Sequence, residues 1–442
     1  MKKTIFKIRL LLLGVYFCFP QNSTFAQTAS KVDQLANQVE PKVIEWRHYF
    51  HEHPELSNRE FKTAKKVADH LRSLGIEVQT GIAHTGVKGV LRGGKPGPVV
   101  ALRADMDALP VTERVDVSFA SSVKSSYLGQ ECGVMHACGH DTHTAILMGV
   151  AQVLSEMKND LKGTVVFMFQ PAEEGAPPGE EGGAKLMVKE GILDNPKVDV
   201  AFGLHIKSEL EVGKINYKPG GFMAAADRFV IKVHGKQAHG SRPWGGVDPI
   251  VVSAQIIMGL QTIVSRQSEL TKEPVVITVG IMKAGVRNNI IPEEAQMTGT
   301  IRTLDTAMQR IVHEKIRLTA TKIAESAGAT ADVEIGVGAP VTYNNPELTK
   351  EMLPTLIATA GEGNVIESLP ITGAEDFSIY GQKVPALFFF LGGMPKGQDP
   401  KTAPGHHTPD FYVDDSGMKL GVRTLTNLTI DYMNHHSSEG EK

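Results

Sequence analysis

The sequence contains little cysteine and no excess of charge of one sign. Three cysteines in 442 residues are too few for a disulfide scaffold. The formal net charge is −3 and no long basic or acidic block is present, so the composition gives no reason to expect binding to nucleic acid or to an anionic membrane. A hydrophobic content of 41% and a charged content of 21% are typical of a soluble globular protein, and the length favours two domains.

Long hydrophobic runs are also lacking, except near the N-terminus. "MKKTIFKIRL" is basic, "LLLGVYFCF" is apolar, and Thr24 and Ala26 occupy the −3 and −1 positions of a cleavage site. We therefore predict a signal peptide at residues 1–26 and an exported protein, either periplasmic or secreted. The apolar run is shorter than the ~20 residues that span a bilayer. No later stretch is predicted to cross a membrane, so no membrane contact is expected after cleavage.

Two cysteines remain after cleavage, and one lies in an unusual cluster, "MHACGHDTHTA", at residues 135–145. A bridge between Cys132 and Cys138 is possible in an oxidising compartment. Metal ligation is the favoured role of Cys138, because His140 follows two residues later. Residues two apart diverge on a helix, so shared ligation needs a loop or a helix start here. Asp141 is interpreted either as the N-cap of the following helix or as a support of the metal site.

The order of apolar segments predicts a layered α/β domain with an insertion. Four apolar runs read as strands buried on both faces of a sheet, with helices between some of them. They are "GPVVALRADMD", "GTVVFMFQPAEE", "VDVAFGLHI" and "VPALFFFLGG". Residues 222–338 instead follow the order βαββαβ, which predicts a ferredoxin-like α+β satellite domain. The catalytic domain is then expected to comprise residues 31–221 and 339–436.

Polar residues follow each of the four predicted strands. They are Asp105 and Asp107, Glu173 and Glu174, His205, and His406 and His407. Active sites of α/β sheets form at the carboxyl ends of strands, where such residues meet. Sulfur, nitrogen and oxygen ligands together suit Zn, Mn, Co or Ni better than Mg or Ca. Five or more ligands from separate loops indicate two divalent metal ions per subunit.

The pair Glu173–Glu174 suggests two roles for neighbouring carboxylates. One can bind metal while the other takes a proton from the attacking water. A solvated acidic loop is the alternative interpretation, because Glu180 and Glu181 follow closely.

These motifs together resemble those of the aminoacylase and carboxypeptidase superfamily of metallohydrolases. The resemblance runs from about residue 41 to residue 433 and is closest to the branch of hippurate hydrolase, N-acyl-amino-acid amidohydrolases and plant auxin-conjugate hydrolases. The motifs occur in the family's order: "RADMDALP", "MHACGHDTHTA", "QPAEEG", "GLH", "GKQAHGSRP", "NNIIP", "GAEDF" and "HHTPDF". The sequence departs from the wider superfamily in having Asp105-x-Asp107 instead of His-x-Asp after the first strand.

The resemblance implies a set of site residues. The implied metal ligands are Cys138, His140, Glu174, His205 and His407. Glu173 is implied as the general base and Asp107 as the aspartate that orients the metal centre. The satellite domain is implied to form a homodimer. It would supply His239, which in relatives polarises the scissile carbonyl in cis or in trans, and Asn289 and Arg302, which hold the substrate carboxylate. The alternative for His239 is an exposed loop histidine.

The implied activity is hydrolysis of an N-acyl amino acid to a carboxylic acid and a free amino acid. A metallocarboxypeptidase or dipeptidase acting on short peptides is the first alternative. A binding protein that kept the fold and lost its chemistry is the second, and it would require a missing ligand or base. The sequence lacks none of them.

Overall fold

The computed structural model describes residues 21–437, so residues 1–20 of the predicted signal peptide at 1–26 lie outside the described residues. The α-helices in that range are α1 Gln21–Glu52, α2 Phe61–Ser73, α3 His140–Glu156, α4 Gly183–Lys189, α5 Pro249–Gln267, α6 Thr306–Ser326, α7 Pro346–Ala360, α8 Ser378–Gly381 and α9 Met418–His436. The strands are β1 Glu77–Ile82, β2 Gly86–Arg92, β3 Lys95–Asp105, β4 Lys124–Tyr127, β5 Gln130–Gly133, β6 Lys162–Gln170, β7 Val200–Glu211, β8 Ile215–Tyr217, β9 Gly220–Met223, β10 Ala225–His234, β11 Ala238–His239, β12 Val275–Ala284, β13 Ile290–Ile291, β14 Glu294–Thr303, β15 Thr330–Val337, β16 Thr342–Asn344, β17 Val365–Glu367 and β18 Ala386–Met394.

The main sheet has eight strands in the order β1-β2-β6-β3-β7-β18-β8-β17. Its centre consists of β6, β3, β7 and β18, which are mutually parallel and correspond to the four apolar runs. The last residues of β6 and all of β18 are buried, as expected of strands covered on both faces. These predicted strands are confirmed. The flanking strands were not predicted: β1 is largely exposed, β2 is buried but its apolar residues are interrupted by glycine and lysine, and β8 and β17 have three residues each.

Helices cover both faces of the main sheet. On one face α1, α3 and α9 pack together over a large apolar cluster. The apolar face of α3 is buried there, including Ile146, Val150 and Leu154. On the other face α4 and α8 contribute to a second cluster with Phe388 of β18. The predicted layered α/β architecture is confirmed.

The inserted unit has its own sheet and its own apolar cluster. Its strands β12, β14, β10 and β15 pair antiparallel in that order, and α5 and α6 pack against the sheet. The buried cluster comes from residues 229–329 alone. The predicted ferredoxin-like order is therefore confirmed. The chain enters the inserted unit after β9 and leaves it before β16. These two strands pair with each other, and Gly220 lies opposite Asn344. The boundaries at 222 and 338 stay predictions.

Helix α5 corrects one expectation from the sequence. Its 19 residues are long and apolar enough to cross a membrane by length and composition, although no such stretch was expected after the N-terminus. The helix buries Ile256, Leu260 and Ile263 in the cluster of the inserted unit. Its other side exposes Val251 and Met258. Part of the apolar character of α5 is therefore explained by the face that packs on the inserted sheet.

Candidate metal centre

The polar residues predicted at the strand ends meet at one edge of the main sheet. The ends of β3, β6 and β18 and the loops that follow supply Asp105, Asp107, Glu173, Glu174, His406 and His407, and β7 supplies His205, two residues beyond its last pairing with β3 at Gly203. The loop before α3 adds Cys138, and the helix itself begins at His140. Because the four strands are parallel and adjacent, their carboxyl ends bring these loops together.

Two backbone conformations allow the ligand loops to approach each other. Gly139 has a φ of 88°, and a Cβ built on it would lie 2.3 Å from a methyl carbon of Ile206. Only glycine is accommodated between Cys138 and His140 without a shift of Ile206. His407 has a φ of 62°, which is unusual for a residue other than glycine and is seen at functional sites. Its backbone N–H donates to the carbonyl of Ala137 at 2.8 Å and so ties this loop to the Cys138 loop.

Cys138 belongs to two groups of candidate metal donors. In the first, Cys138, His140 and His205 offer ligand atoms within 4.8 Å of one another. In the second, Cys138, Glu174 and His407 do the same. The Cys138 Sγ lies 3.4 Å from His205 Nε2 and 3.3 Å from His407 Nε2, and His407 Nε2 lies 3.0 Å from Glu174 Oε1. The thiol is therefore shared by two sets of donors.

The imidazoles are oriented so that their Nε2 atoms face this centre. His205 Nδ1 lies 2.6 Å from the carbonyl oxygen of Ile206, and His140 Nδ1 lies 2.8 Å from that of Asp107. A carbonyl can only accept, so each Nδ1 carries a proton, and in the neutral ring the Nε2 lone pair is directed at the centre. His140 Nε2 is buried and forms no hydrogen bond within the described chain. A buried polar atom of this kind requires a partner, and a metal ion would provide one.

The charge at the centre also fits metal ions. Burial and the neighbouring carboxylates, chiefly Glu174 and Glu173, raise the pKa of the Cys138 thiol well above its usual value. Burial opposes protonation of His140, but the negative charges of Asp105 and Asp107 outweigh it and raise its pKa to about 10. The cluster thus favours positive charge, and divalent cations would displace these protons. Two donor sets that share one sulfur fit a pair of metal ions, as predicted.

The Asp107 carboxylate accepts hydrogen bonds from the backbone of both Glu173 and Glu174. Its Oδ1 accepts a hydrogen bond from the Glu173 backbone N–H at 3.0 Å, and its Oδ2 accepts one from that of Glu174 at 3.1 Å. The Ser57 hydroxyl donates to Oδ2 at 2.8 Å. His140 Nδ1 lies 3.3 Å from Oδ1. This carboxylate therefore fixes the backbone that carries the candidate base and one candidate ligand.

Sequence reasoning missed a buried arginine beneath the site. The Arg103 guanidinium donates to Asp105 at 2.6 Å and to Asp376 at 2.9 Å, and Glu375 lies 2.9 Å away. The Asp376 backbone N–H approaches Glu173 Oε1 at 3.4 Å. The motifs "RADMDALP" and "GAEDF" contain these residues, but spacing alone does not show that a single arginine pairs with all three acids.

A second buried network lies behind the start of α3. Asp141 is the second residue of the helix and does not cap it, because the N-cap position is Gly139. Its Oδ2 accepts from Arg47 at 3.2 Å and lies 2.9 Å from His51 Nδ1. Glu113 contacts the other His51 nitrogen at 3.0 Å. The N-cap prediction was wrong, and Asp141 instead joins α3 to α1 immediately beside His140.

Two other histidines near the centre, His143 and His406, form hydrogen bonds within the protein. His143 Nδ1 lies 2.5 Å from Asp105 Oδ1, and its Nε2 accepts the backbone N–H of Ile206 at 2.8 Å. His406 Nε2 accepts the backbone N–H of Ser208 at 3.3 Å, with its Nδ1 3.7 Å from Cys138 Sγ. Cys132 and Cys138 are both free, so no bridge joins them.

A cavity of about 840 Å³ opens over the donor cluster. Arg302 of the inserted unit lines it, together with Met223 and Phe390. His239 and Asn289 are not among its lining residues. They lie together elsewhere on the inserted unit, where the Gly240 N–H donates to the Asn289 carbonyl and His239 Nδ1 accepts from Ser241. The structure brings Arg302 to the cavity of this chain and leaves His239 and Asn289 outside it.

The fold and this centre together define a metal-dependent hydrolase. Residues 101–431 match the model of peptidase family M20/M25/M40, and the chain belongs to that family. The predicted family is confirmed, and with it an enzyme that hydrolyses amide bonds.

Three similar proteins illustrate the range of the family. Thermostable carboxypeptidase 2 of Saccharolobus solfataricus is 42% identical over 91% of this chain and 99% of its own length. The N-acyl-L-amino acid amidohydrolase of Geobacillus stearothermophilus is 41% identical over 72% of this chain and 82% of its own. A crystal structure from Bacillus subtilis, described as a dinuclear metal-binding peptidase of the M20 family, is 33% identical with a TM-score of 0.76, and the match covers 90% of this chain and 99% of the other.

Proposed function

We propose that this protein hydrolyses the amide bond of N-acyl amino acids at a centre of two divalent metal ions. The observation that carries the proposal is the position of Cys138 between two donor groups, with Glu173 beside them at the floor of a cavity. The Geobacillus relative, named for this activity, supports the choice of substrate class. Zn, Mn, Co and Ni all suit the mixed sulfur, nitrogen and oxygen donors.

Each residue of the site has a separate task in this proposal. Bound metal ions supply the positive charge that acidifies a water and polarises the amide carbonyl. Glu173 accepts the proton of the water as its oxygen attacks the carbonyl carbon. It then delivers that proton to the leaving nitrogen as the C–N bond breaks, so that acid and amine are released. Arg302 holds the carboxylate of the substrate from the side of the inserted unit.

The replacement Glu173→Gln tests the base. The amide neither accepts nor delivers the proton, so we expect kcat to fall about 10²–10⁴-fold with unchanged metal content. Metal content is measured by elemental analysis, and activity by release of free amino acid from acetyl-, benzoyl- and indoleacetyl-amino acids. Turnover within about tenfold of the wild type would place the base elsewhere.

Cleavage of short peptides is the second candidate function, favoured by the similarity to a thermostable carboxypeptidase. Both substrates present an amide and a free carboxylate, so the same centre would serve either. A panel of N-acyl amino acids and dipeptides, compared by kcat/KM with each metal, separates them.

We further propose a homodimer formed through the inserted unit. Strand β12 is at the edge of its sheet and exposes Ile281 and Met282, which supports pairing with a second copy. His239 lies outside the cavity of its own chain, so it reaches a reacting carbonyl only by domain closure or from a partner subunit.

Mixed dimers test whether His239 acts in the active site of the partner subunit. Glu173→Gln and His239→Ala subunits are each expected to be inactive alone. After subunit exchange, up to about a quarter of wild-type activity should return, because half of randomly paired dimers are mixed and each has one intact site. No recovery despite exchange would exclude action in trans.

Export is also proposed, on the basic and apolar pattern of the first residues. Fractionation of the producing cells and N-terminal sequencing of the mature protein test it. Intact protein that retains residues 1–26 in the cytoplasm would contradict the proposal.

A further inference from the structure

Lys207 is a cavity residue that the proposed chemistry does not use. It lies in β7 two residues after His205, so its side chain is on the same face of the strand as that candidate ligand. It lines the cavity above the metal centre and is half-buried. Gly392 is its partner across the sheet, which leaves the space beside the lysine free of a facing side chain.

The Lys207 ammonium has no anionic partner in the described chain. Its Nζ lies 5.2 Å from the centre of the Phe390 ring, which is an apolar wall of the same cavity. No carboxylate of residues 21–437 is within ion-pair distance of its Nζ. A half-buried ammonium that lies beside an aromatic face and forms no ion pair among residues 21–437 is positioned to receive an anion from a ligand.

Lys207 and Arg302 are the two cations that line the cavity, and most of its lining carboxylates belong to the metal centre or to the Arg103 network. Glu375 and Asp376 are paired with Arg103 beneath the floor. Arg302 lines the cavity and, like Lys207, forms no ion pair within residues 21–437. Glu209 is the one lining carboxylate besides these and the glutamate pair of the centre, and it too is unpaired. Lys207 and Arg302 are thus the two lining cations without an ion-pair partner among residues 21–437.

We propose that Lys207 is a second anion-binding residue of the cavity and selects substrates that carry a second carboxylate. The inference rests on the proposed function, in which Arg302 binds the carboxylate common to all N-acyl amino acids. The second carboxylate comes either from an acidic amino acid or from a dicarboxylic acyl group. Both present the same chemistry to the lysine.

Two pairs of nearly isosteric substrates separate these sources. N-acetylglutamate is compared with N-acetylglutamine, and N-succinyl-alanine with its neutral succinamide analogue. We expect the wild type to prefer the charged member of at least one pair by roughly tenfold or more in kcat/KM, the range of a partly buried charge-assisted hydrogen bond. Lys207→Met should remove that preference and leave kcat/KM for the neutral member within about threefold of the wild type.

Two further variants make the test specific. Lys207→Arg keeps the charge and should keep most of the preference. Lys214→Met removes a lysine that pairs with Glu211 outside the cavity lining, and it should leave the preference unchanged. Equal rates for charged and neutral substrates in the wild type, or a preference that survives in Lys207→Met, would overturn the inference while the proposed function stands. A wild type that hydrolyses none of the four amides would overturn this inference, and one that also leaves the acetyl-, benzoyl- and indoleacetyl-amino acids intact would overturn the proposed function.

Discussion

Replacement of Asp107 by asparagine removes one acceptor from the most connected carboxylate of the site. The aspartate receives backbone N–H groups from Glu173 and Glu174 on different oxygens, at 3.0 and 3.1 Å. Asparagine has one oxygen, so its NH₂ group must face one of these two donors. Whichever way the amide turns, at least one backbone N–H loses its acceptor in a largely buried place.

The size of the effect follows from these contacts. A buried donor left without a partner costs about 1–3 kcal/mol, so the free energy of unfolding should fall by that amount. The same change removes the negative charge 3.3 Å from His140 Nδ1, while the hydrogen bond of that nitrogen to the Asp107 carbonyl remains. Loss of a partner behind a metal ligand typically lowers metal affinity or activity about 10–100-fold. We expect kcat/KM to fall within that range.

Three measurements check this prediction: metal affinity by competition with a chelator, kcat/KM on one N-acyl amino acid, and unfolding by denaturant. Ser57→Ala is the matched control, because it removes one neutral donor to the same carboxylate at 2.8 Å and leaves both backbone contacts in place. It should cost about 1 kcal/mol and keep metal affinity near that of the wild type. An Asp107→Asn enzyme with wild-type stability, metal affinity and activity would refute the reasoning.

Three further predictions concern the centre and its surroundings. Cys138→Ser should weaken metal binding more than it weakens the fold, since a hydroxyl is a poorer ligand than a thiolate; full metal content by elemental analysis would show that Cys138 is not a ligand. Arg103→Met should cost about 3–5 kcal/mol in unfolding free energy, because it leaves three acids without their buried cation, and unchanged thermal stability would contradict this. Burial would lower the pKa of His51, but its hydrogen bonds to Asp141 and Glu113 outweigh that and raise it to about 9. Protonated His51 therefore stabilises the fold fully below its unfolded pKa of about 6.5, and this stabilisation is lost as pH rises through about 9; His51→Gln should be more destabilising at pH 6 than at pH 10, and an equal loss at both would argue against it.

Local patterns were sufficient to predict the two kinds of structural unit. The four central strands were predictable because parallel strands covered on both faces are apolar throughout. The inserted unit was predictable because the spacing of its apolar residues alternates between that of strands and that of helices in the order βαββαβ. The short flanking strands β8 and β17 gave no such signal, since three residues contain too little pattern to distinguish a strand from a loop.

Helix α5 and Asp141 show how tertiary context overrides local pattern. Asp141 has the residue type and position of a helix cap, yet Arg47 and His51 approach it from a helix 94 and 90 residues earlier in the chain. The length and hydrophobicity of α5 satisfy a membrane criterion, yet one face of the helix is buried on the inserted sheet. Neither partner can be read from the residues adjacent in sequence.

The sequence by itself determined the donor types of the centre and the order in which they occur along the chain. A thiol, imidazoles and carboxylates placed after buried strands must meet when those strands run parallel, because the carboxyl ends of parallel strands lie at one edge. Only the tertiary structure decided which donors share Cys138, which histidines are already engaged by Asp105 or a backbone N–H, and that Arg103 pairs with three acids. Those facts depend on distances of a few ångströms between residues up to 273 positions apart, and residue spacing does not specify such distances.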